Sequence, residues 1–209
     1  LIFGIHHFGL FVAAGILLNL TPGPDTAYIL GRSIAQGRAA GIASALGIAT
    51  GSIFHTCAAA LGLSAVLATS AWAFTAIKLV GGAYLIFLGI KMFFQRQQEL
   101  SLPSNFRRST TRAAFQQGVL TNVLNPKVAL FFLAFLPQFI DPNSTAKVPA
   151  FVALGLTFVT TGTIWCLILA WFAAAVGKKL RDNPTIAELL NRAVGSLFVF
   201  LGIRLAATH

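Results

Sequence analysis

Charge is what this sequence has least of. Only 10% of its 209 residues are Asp, Glu, Lys or Arg, against roughly 25% in soluble domains. Acidic residues are the scarcest: five, against fifteen Lys and Arg, for a net charge of +10. So little charge cannot solvate an ordinary globular surface. A bilayer suits the 56% hydrophobic content and mean hydropathy of +0.80. The two cysteines, Cys57 and Cys166, both lie in apolar runs, which excludes a disulfide framework and a cysteine metal cluster. A Walker loop, a Gly-x-Ser-x-Gly elbow and a His-Glu-x-x-His pair are all missing. No enzyme, cofactor or metal is therefore expected. The surplus of basic residues falls mostly between apolar runs, where it reads as a topology signal and not as a nucleic-acid surface.

What is present is a series of long apolar runs. They cover residues 8–20 with a continuation to about 33, 39–67, 72–94, 113–140, 149–176 and 186–206. None shows sustained strand alternation, and their lengths are helical. A membrane helix takes about 20 apolar residues, so the chain holds about six and leaves no room for a soluble domain. The expectation is an all-α membrane protein of six transmembrane helices forming one transporter domain, 1–209. The chain starts at Leu1 and shows no cleavable signal peptide. The first run is expected to be retained and to be preceded by at least one residue.

Basic residues set the orientation. Arg32 and Arg38, then Lys91, Arg96, Arg107, Arg108 and Arg112, then Lys178, Lys179 and Arg181 put ten on one side, against Lys147 and Arg204 on the other. The ten belong in the cytoplasm and both termini outside. The halves also match. GAYLIFLGIK at 82–91 aligns with GSLFVFLGIR at 195–204, and Leu20-Thr21-Pro22 aligns with Leu124-Asn125-Pro126. The halves are then about 1–94 and 113–206, joined by a basic cytoplasmic loop at 95–112. Three helices per half makes the second an inverted copy of the first. Paired interrupted helices in inverted halves point to a transporter's central site.

Pro22 and Pro24 remove two amide donors and clash with the preceding turn, and Gly23 adds freedom. Helix 1 must open near the midplane, where freed backbone is tolerated only beside protein or a water-filled cavity. Thr21 or Asp25 could cap the new half-helix, whose positive end suits a carboxylate. In helix 4, Asn125 is a good cap, Pro126 fits the first helical position, and Lys127 falls at membrane depth. Asp25 at such depth carries a cost of at least ~2.5 kcal/mol. It reads as a proton carrier, a ligand for a substrate ammonium, or a cap. Lys127 balances that charge or grips a carboxylate. His55 closes a stripe of Ala43, Gly47 and Gly51, spaced for close packing. It is either a satisfied interior histidine or a member of a proton relay. Asn19 and Asn122 flank the breaks and are placed to satisfy opened backbone or touch substrate. Without a nucleotide site, transport must draw on an ion gradient.

LTPGPDTAYILGRSIAQGRAAGIASALGIATG at 20–51, KLVGGAYLIFLGIK at 78–91 and GVLTNVLNPKVALFFLAFLPQFI at 118–140 resemble the signature blocks of the lysine exporter family, the LysE/RhtB group of bacterial amino-acid efflux carriers. The likeness is close over the first two-thirds of the chain. It implies export of amino acids or small derivatives across the inner membrane, driven by the proton motive force. It places Pro22, Gly23, Pro24 and Asp25 in one functional motif and Asn125, Pro126 and Lys127 in another. Amino acid, proton and lipid are the implied partners, and a homo-oligomer is left open.

Overall fold

The computed structural model describes residues 2–69, 71–94, 110–173 and 184–207. Over these residues the protein is all-helical, with an isolated bridge between Ile5 and Ile140 and no strand. Helix α1 (Phe8–Leu20) stops at Thr21, and α2 (Pro24–Gln36) starts with a proline in its first turn. A proline there sacrifices a donor that has no helical partner anyway. Helix α3 (Arg38–Ala58) continues through a π turn, Ala59–Leu63, into α4 (Ser64–Thr69). Then come α5 (Ala71–Phe94) and α6 (Thr111–Val123), whose N-cap Thr110 accepts from the Ala113 amide at 3.2 Å. Helix α7 (Pro126–Leu130) winds on through a π turn and a 3-10 turn to Phe139. Helices α8 (Lys147–Trp171) and α9 (Pro184–Ala207) complete the order.

Among the described residues, Arg38–Val66 and Lys147–Trp171 are each long and apolar enough to cross a membrane. Thr111–Val123 with Pro126–Phe139 forms a third candidate, bent by 48°. Both expected breaks are present, one between α1 and α2 and one between α6 and α7. The expected loop at 32–38 is not. Helix α2 runs to Gln36, and the single residue Gly37, at φ 86°, turns the chain straight into α3. That left-handed backbone is the reason for a glycine. Arg32 therefore lies inside a helix and is buried at 4% exposure, where the basic count treated it as a loop residue. Most of the central basic loop, 95–109, and the basic stretch 178–181 lie outside the described residues.

Small residues decide which helices touch. A Cβ on Gly47 would run into the Phe115 carbonyl. One on Gly51 would stand 2.8 Å from Asn122 Cβ, and one on Gly118 would stand 2.6 Å from the Ser44 carbonyl. Helices α3 and α6 thus meet backbone to backbone, as the stripe of small residues foretold. The pair α5 and α9 crosses in the same way and reciprocally: a Cβ on Gly89 would stand 2.5 Å from the Gly195 carbonyl oxygen, and one on Gly202 would stand 2.6 Å from that of Gly82. Lipid is as apolar as leucine, so close packing of this kind holds membrane helices together.

Two apolar clusters bracket the breaks. The larger gathers Phe11, Phe131, Phe135, Phe139, Phe151 and Phe158 with their neighbours. Phe131 stacks on Phe135 at 4.7 Å and lies 4.5 Å from Phe158. At this end the His6 amide bonds the Phe139 carbonyl and the Asp141 amide bonds the Gly4 carbonyl, each at 2.9 Å, tying the N-terminal residues to the segment before α8. The smaller cluster holds Ile29, Leu30, Ala45, Ile48, Cys166 and Leu169. Near it the Arg38 guanidinium lies 4.9 Å over the Trp171 ring.

Candidate functional site

A proline orphans the carbonyl four residues before it, because the helical donor that carbonyl expects is the proline's missing N–H. Pro22 does this to Leu18, and Pro126 does it to Asn122. In both cases a side chain from elsewhere supplies a donor, beside the amide three residues on, which for Leu18 is Thr21 N–H at 3.3 Å. Lys127 Nζ donates to the Leu18 carbonyl at 3.1 Å and to the Thr21 carbonyl at 2.9 Å. His55 Nε2 lies 3.2 Å from the Asn122 carbonyl, which also accepts from the Asn125 amide at 2.9 Å. A carbonyl only accepts, so the proton of His55 toward this contact sits on Nε2. The ring is buried and stacks on Phe132 at 5.7 Å.

The caps divide differently from the expectation. Asn125 does cap α7, its side chain accepting from the Lys127 amide at 3.0 Å, with Pro126 in the first turn. Neither Thr21 nor Asp25 caps α2. The N-cap is Gly23, with no side-chain cap bond, and the Thr21 hydroxyl instead donates back to the Leu17 carbonyl at 2.8 Å. Asp25 sits one position into the helix, with its carboxylate free of the backbone ends. Gly23 has a separate constraint: a Cβ there would stand 3.3 Å from Lys127 Nζ.

Asp25 accepts one hydrogen bond among the described residues. Asn122 Nδ2 donates to its Oδ2 at 2.8 Å, and the Ser52 hydroxyl donates to Asn122 Oδ1 at 3.2 Å. This relay from α3 through α6 to α2 fixes the plane of the carboxylate. Its other oxygen, Oδ1, is buried with no hydrogen-bond partner among the described residues. No ion pair within 4 Å joins Asp25 to Lys127, whose ammonium gives two of its three N–H groups to backbone carbonyls.

Beside this carboxylate is a cavity with about 40 Å³ open to the centre of a water molecule. That is room for about three waters. Asn19, Gly23, Asp25, Asn122 and Lys127 line it. Thr21, Pro22, Pro24, Asn125 and Pro126 shape the breaks without lining it, and His55 stands behind Asn122. Asn19 reaches α8 through a 3.4 Å bond to Thr161. The sequence reading did not single out Ser52, Thr163, Trp165 and Cys166, which also line the cavity. The last three come from one face of α8, whose sequence is apolar enough to hide them.

The polar face of α2 continues away from the cavity. The Tyr28 hydroxyl donates to the Ala114 carbonyl at 2.8 Å, and Arg32 bonds Gln117 Oε1 while its guanidinium lies 5.5 Å over the Tyr28 ring. With Asp25–Asn122 these contacts lie along α2 at helical spacing and fasten it to α6. The two helices are halves of different broken helices.

A membrane protein with a small polar cavity where two proline-broken helices meet is the class these features define. The chain belongs to the LysE type translocator family, whose model matches residues 16–209. It is a transporter, not an enzyme. It is similar to an uncharacterised membrane protein of Bacillus subtilis, YrhP, at 31% identity over 96% of this chain and 98% of the relative. An uncharacterised membrane protein of Vibrio cholerae is 32% identical over 97% of each chain. A leucine efflux protein of Enterobacter is 28% identical over 99% of this chain and 98% of the relative. No solved structure matches the chain.

Proposed function

We infer that the protein exports amino acids or small amino-acid derivatives from the cytoplasm as a secondary transporter driven by the proton motive force. The observation that carries this reading is the unpartnered, buried Oδ1 of Asp25 in the cavity between the broken helices. A carboxylate oxygen held in place and left without a donor is a site for a mobile one. A substrate ammonium and a proton both qualify. If the two compete for one oxygen, a proton entering displaces a substrate leaving, and the exchange couples export to the gradient. Leu18, Ile48, Val128 and Val159 in the lining favour a neutral, apolar substrate side chain, in keeping with the leucine efflux relatives.

In this reading α1 with α2, α3 with α4, α5, α6 with α7, α8, and α9 are six spans of one transporter domain, in two inverted halves in the inner membrane, with both termini outside. The reciprocal crossing of Gly89 on Gly195 and Gly202 on Gly82 supports the inverted pairing. Efflux of a labelled amino-acid panel from loaded vesicles, with and without an imposed pH gradient, tests the function. Export of at least one neutral amino acid, accelerated by inward proton flow, is expected. Silence across the panel would discard the reading.

A further inference from the structure

An amino-acid head group brings an ammonium and a carboxylate into the cavity together. The carboxylate needs a donor, and each donor group expected from the sequence already serves a protein acceptor. Lys127 Nζ serves the carbonyls of Leu18 and Thr21. Asn122 Nδ2 serves Asp25, and the Ser52 hydroxyl serves Asn122. The Thr163 hydroxyl donates to the Val159 carbonyl at 2.6 Å, and Asn19 Nδ2 serves Thr161. Helix α7 is a five-residue turn whose first free amide is taken by Asn125.

Among the side chains that line the cavity, two polar atoms are buried without a partner: Asp25 Oδ1 and Trp165 Nε1. One only accepts and the other only donates. They come from different helices, α2 and α8. A buried indole N–H without an acceptor is costly, and this one belongs to a residue of the cavity lining. Asn125 Nδ2 is also buried without a partner; its side chain stands near Asp25, outside the cavity lining.

We propose that Trp165 binds the substrate carboxylate through its indole N–H while Asp25 Oδ1 takes the ammonium, so that the pair reads the zwitterion. This rests on the amino-acid export reading and adds to it the residue that recognises the second charge. The indole donates one hydrogen bond and carries no charge. It holds a carboxylate without trapping it, as a carrier that must release its cargo requires.

The test uses the full chain in lipid nanodiscs, with leucine, leucinamide and 4-methylpentanoate as probes. Leucinamide keeps the ammonium and lacks the carboxylate, and 4-methylpentanoate does the reverse. Trp165→Phe keeps the ring and removes the donor. It is expected to weaken leucine and 4-methylpentanoate by about tenfold, the scale of one hydrogen bond to a charged group, and to leave leucinamide unchanged. Unchanged leucinamide binding also shows that the variant is folded. Equal weakening of leucine and leucinamide, or no change in either, would overturn the assignment. A second measurement does not depend on that variant. In the single-tryptophan protein made by Trp72→Phe and Trp171→Phe, neither residue lining the cavity, ultraviolet resonance Raman reads hydrogen bonding at the Trp165 N–H. Leucine should shift that band and leucinamide should not; a band that leucine leaves unmoved would overturn the assignment. A wild-type protein that binds none of the three probes would overturn the export reading and this assignment together.

Discussion

The ammonium of Lys127 stands 3.1 Å from the carbonyl oxygen of Leu18, the group that Pro22 deprives of its helical donor. A side chain 109 positions along the chain replaces a backbone N–H. The broken helix is thereby stable as a broken helix. The carbonyls opened by the prolines do not need substrate or water to satisfy them, and in the cavity lining the unsatisfied side-chain atoms are Asp25 Oδ1 and Trp165 Nε1. His55 does for Asn122 what Lys127 does for Leu18.

Lys127→Met should destabilise the protein by about 1–3 kcal/mol, the cost of taking the ammonium's donors from the Thr21 and Leu18 carbonyls. That corresponds to a fall of a few degrees in the thermal midpoint in detergent. Adding Pro22→Ala should recover part of the loss, because the new N–H can reach the Leu18 carbonyl. The double variant should be stable and inactive, its first helix closed. A loss in Lys127→Met that Pro22→Ala does nothing to relieve would mean the ammonium has another task.

Asp25→Asn keeps the shape and the bond toward Asn122 but cannot lose a proton. Uphill export driven by a pH gradient should fall to background, while downhill exchange at saturating substrate persists with weaker affinity. Capping does not complicate the result, since Asp25 makes no cap bond in the structure. The measurement is driven efflux and equilibrium exchange on the same vesicle preparation. Driven export intact in the variant would move coupling to another group.

Gly47→Ala and Gly62→Ala are the same change with opposite expectations. A Cβ at Gly47 meets the Phe115 backbone, and one at Gly62 meets nothing within 4 Å. The first should cost about 1–3 kcal/mol through forced separation of α3 from α6. The second should be neutral or slightly stabilising, because alanine loses less freedom in a helix than glycine. Midpoints of thermal unfolding in detergent compare them.

Cys166 lines the cavity and Cys57 is exposed on the outer face of its helix. In a Cys57→Ser background, a small thiol reagent should modify Cys166 only as the carrier opens. Saturating transported amino acid should slow the reaction several-fold. An unprotected rate would place substrate elsewhere.

Cysteines introduced at Thr110 and Asn143 report orientation. The basic asymmetry puts Thr110 in the cytoplasm and Asn143 outside, so an impermeant reagent added to whole cells should label Asn143→Cys alone. Labelling of Thr110→Cys alone would invert the topology.

The two breaks were legible because their cause is local. Pro22, Pro24 and Pro126 remove amide donors wherever the chain goes, and Asn125 before Pro126 is a capping pair in any context. The stripe of Gly47 and Gly51 announced a close helix contact for the same reason: a missing Cβ is missing in every fold. The apolar runs fixed the solvent, and α1 (Phe8–Leu20) begins and ends where the first run does.

Partner choice was not legible. Charge alone made Asp25 the natural partner of Lys127, but in the folded chain that ammonium bonds carbonyls, because the oxygens of Leu18 and Thr21 lie nearer than the carboxylate. Arg32 counted as one more basic residue at a helix end until α6 brought Gln117 against it. Trp165 is one aromatic among many in an apolar run, and nothing in its neighbours marks it. Its significance comes from the face of α8 that turns toward the cavity, which depends on how α1, α2, α3 and α6 pack around it. Sequence by itself determined where the backbone must open and that a membrane must surround it. Tertiary structure decided which side chains close those openings and which two polar atoms are left for something that arrives.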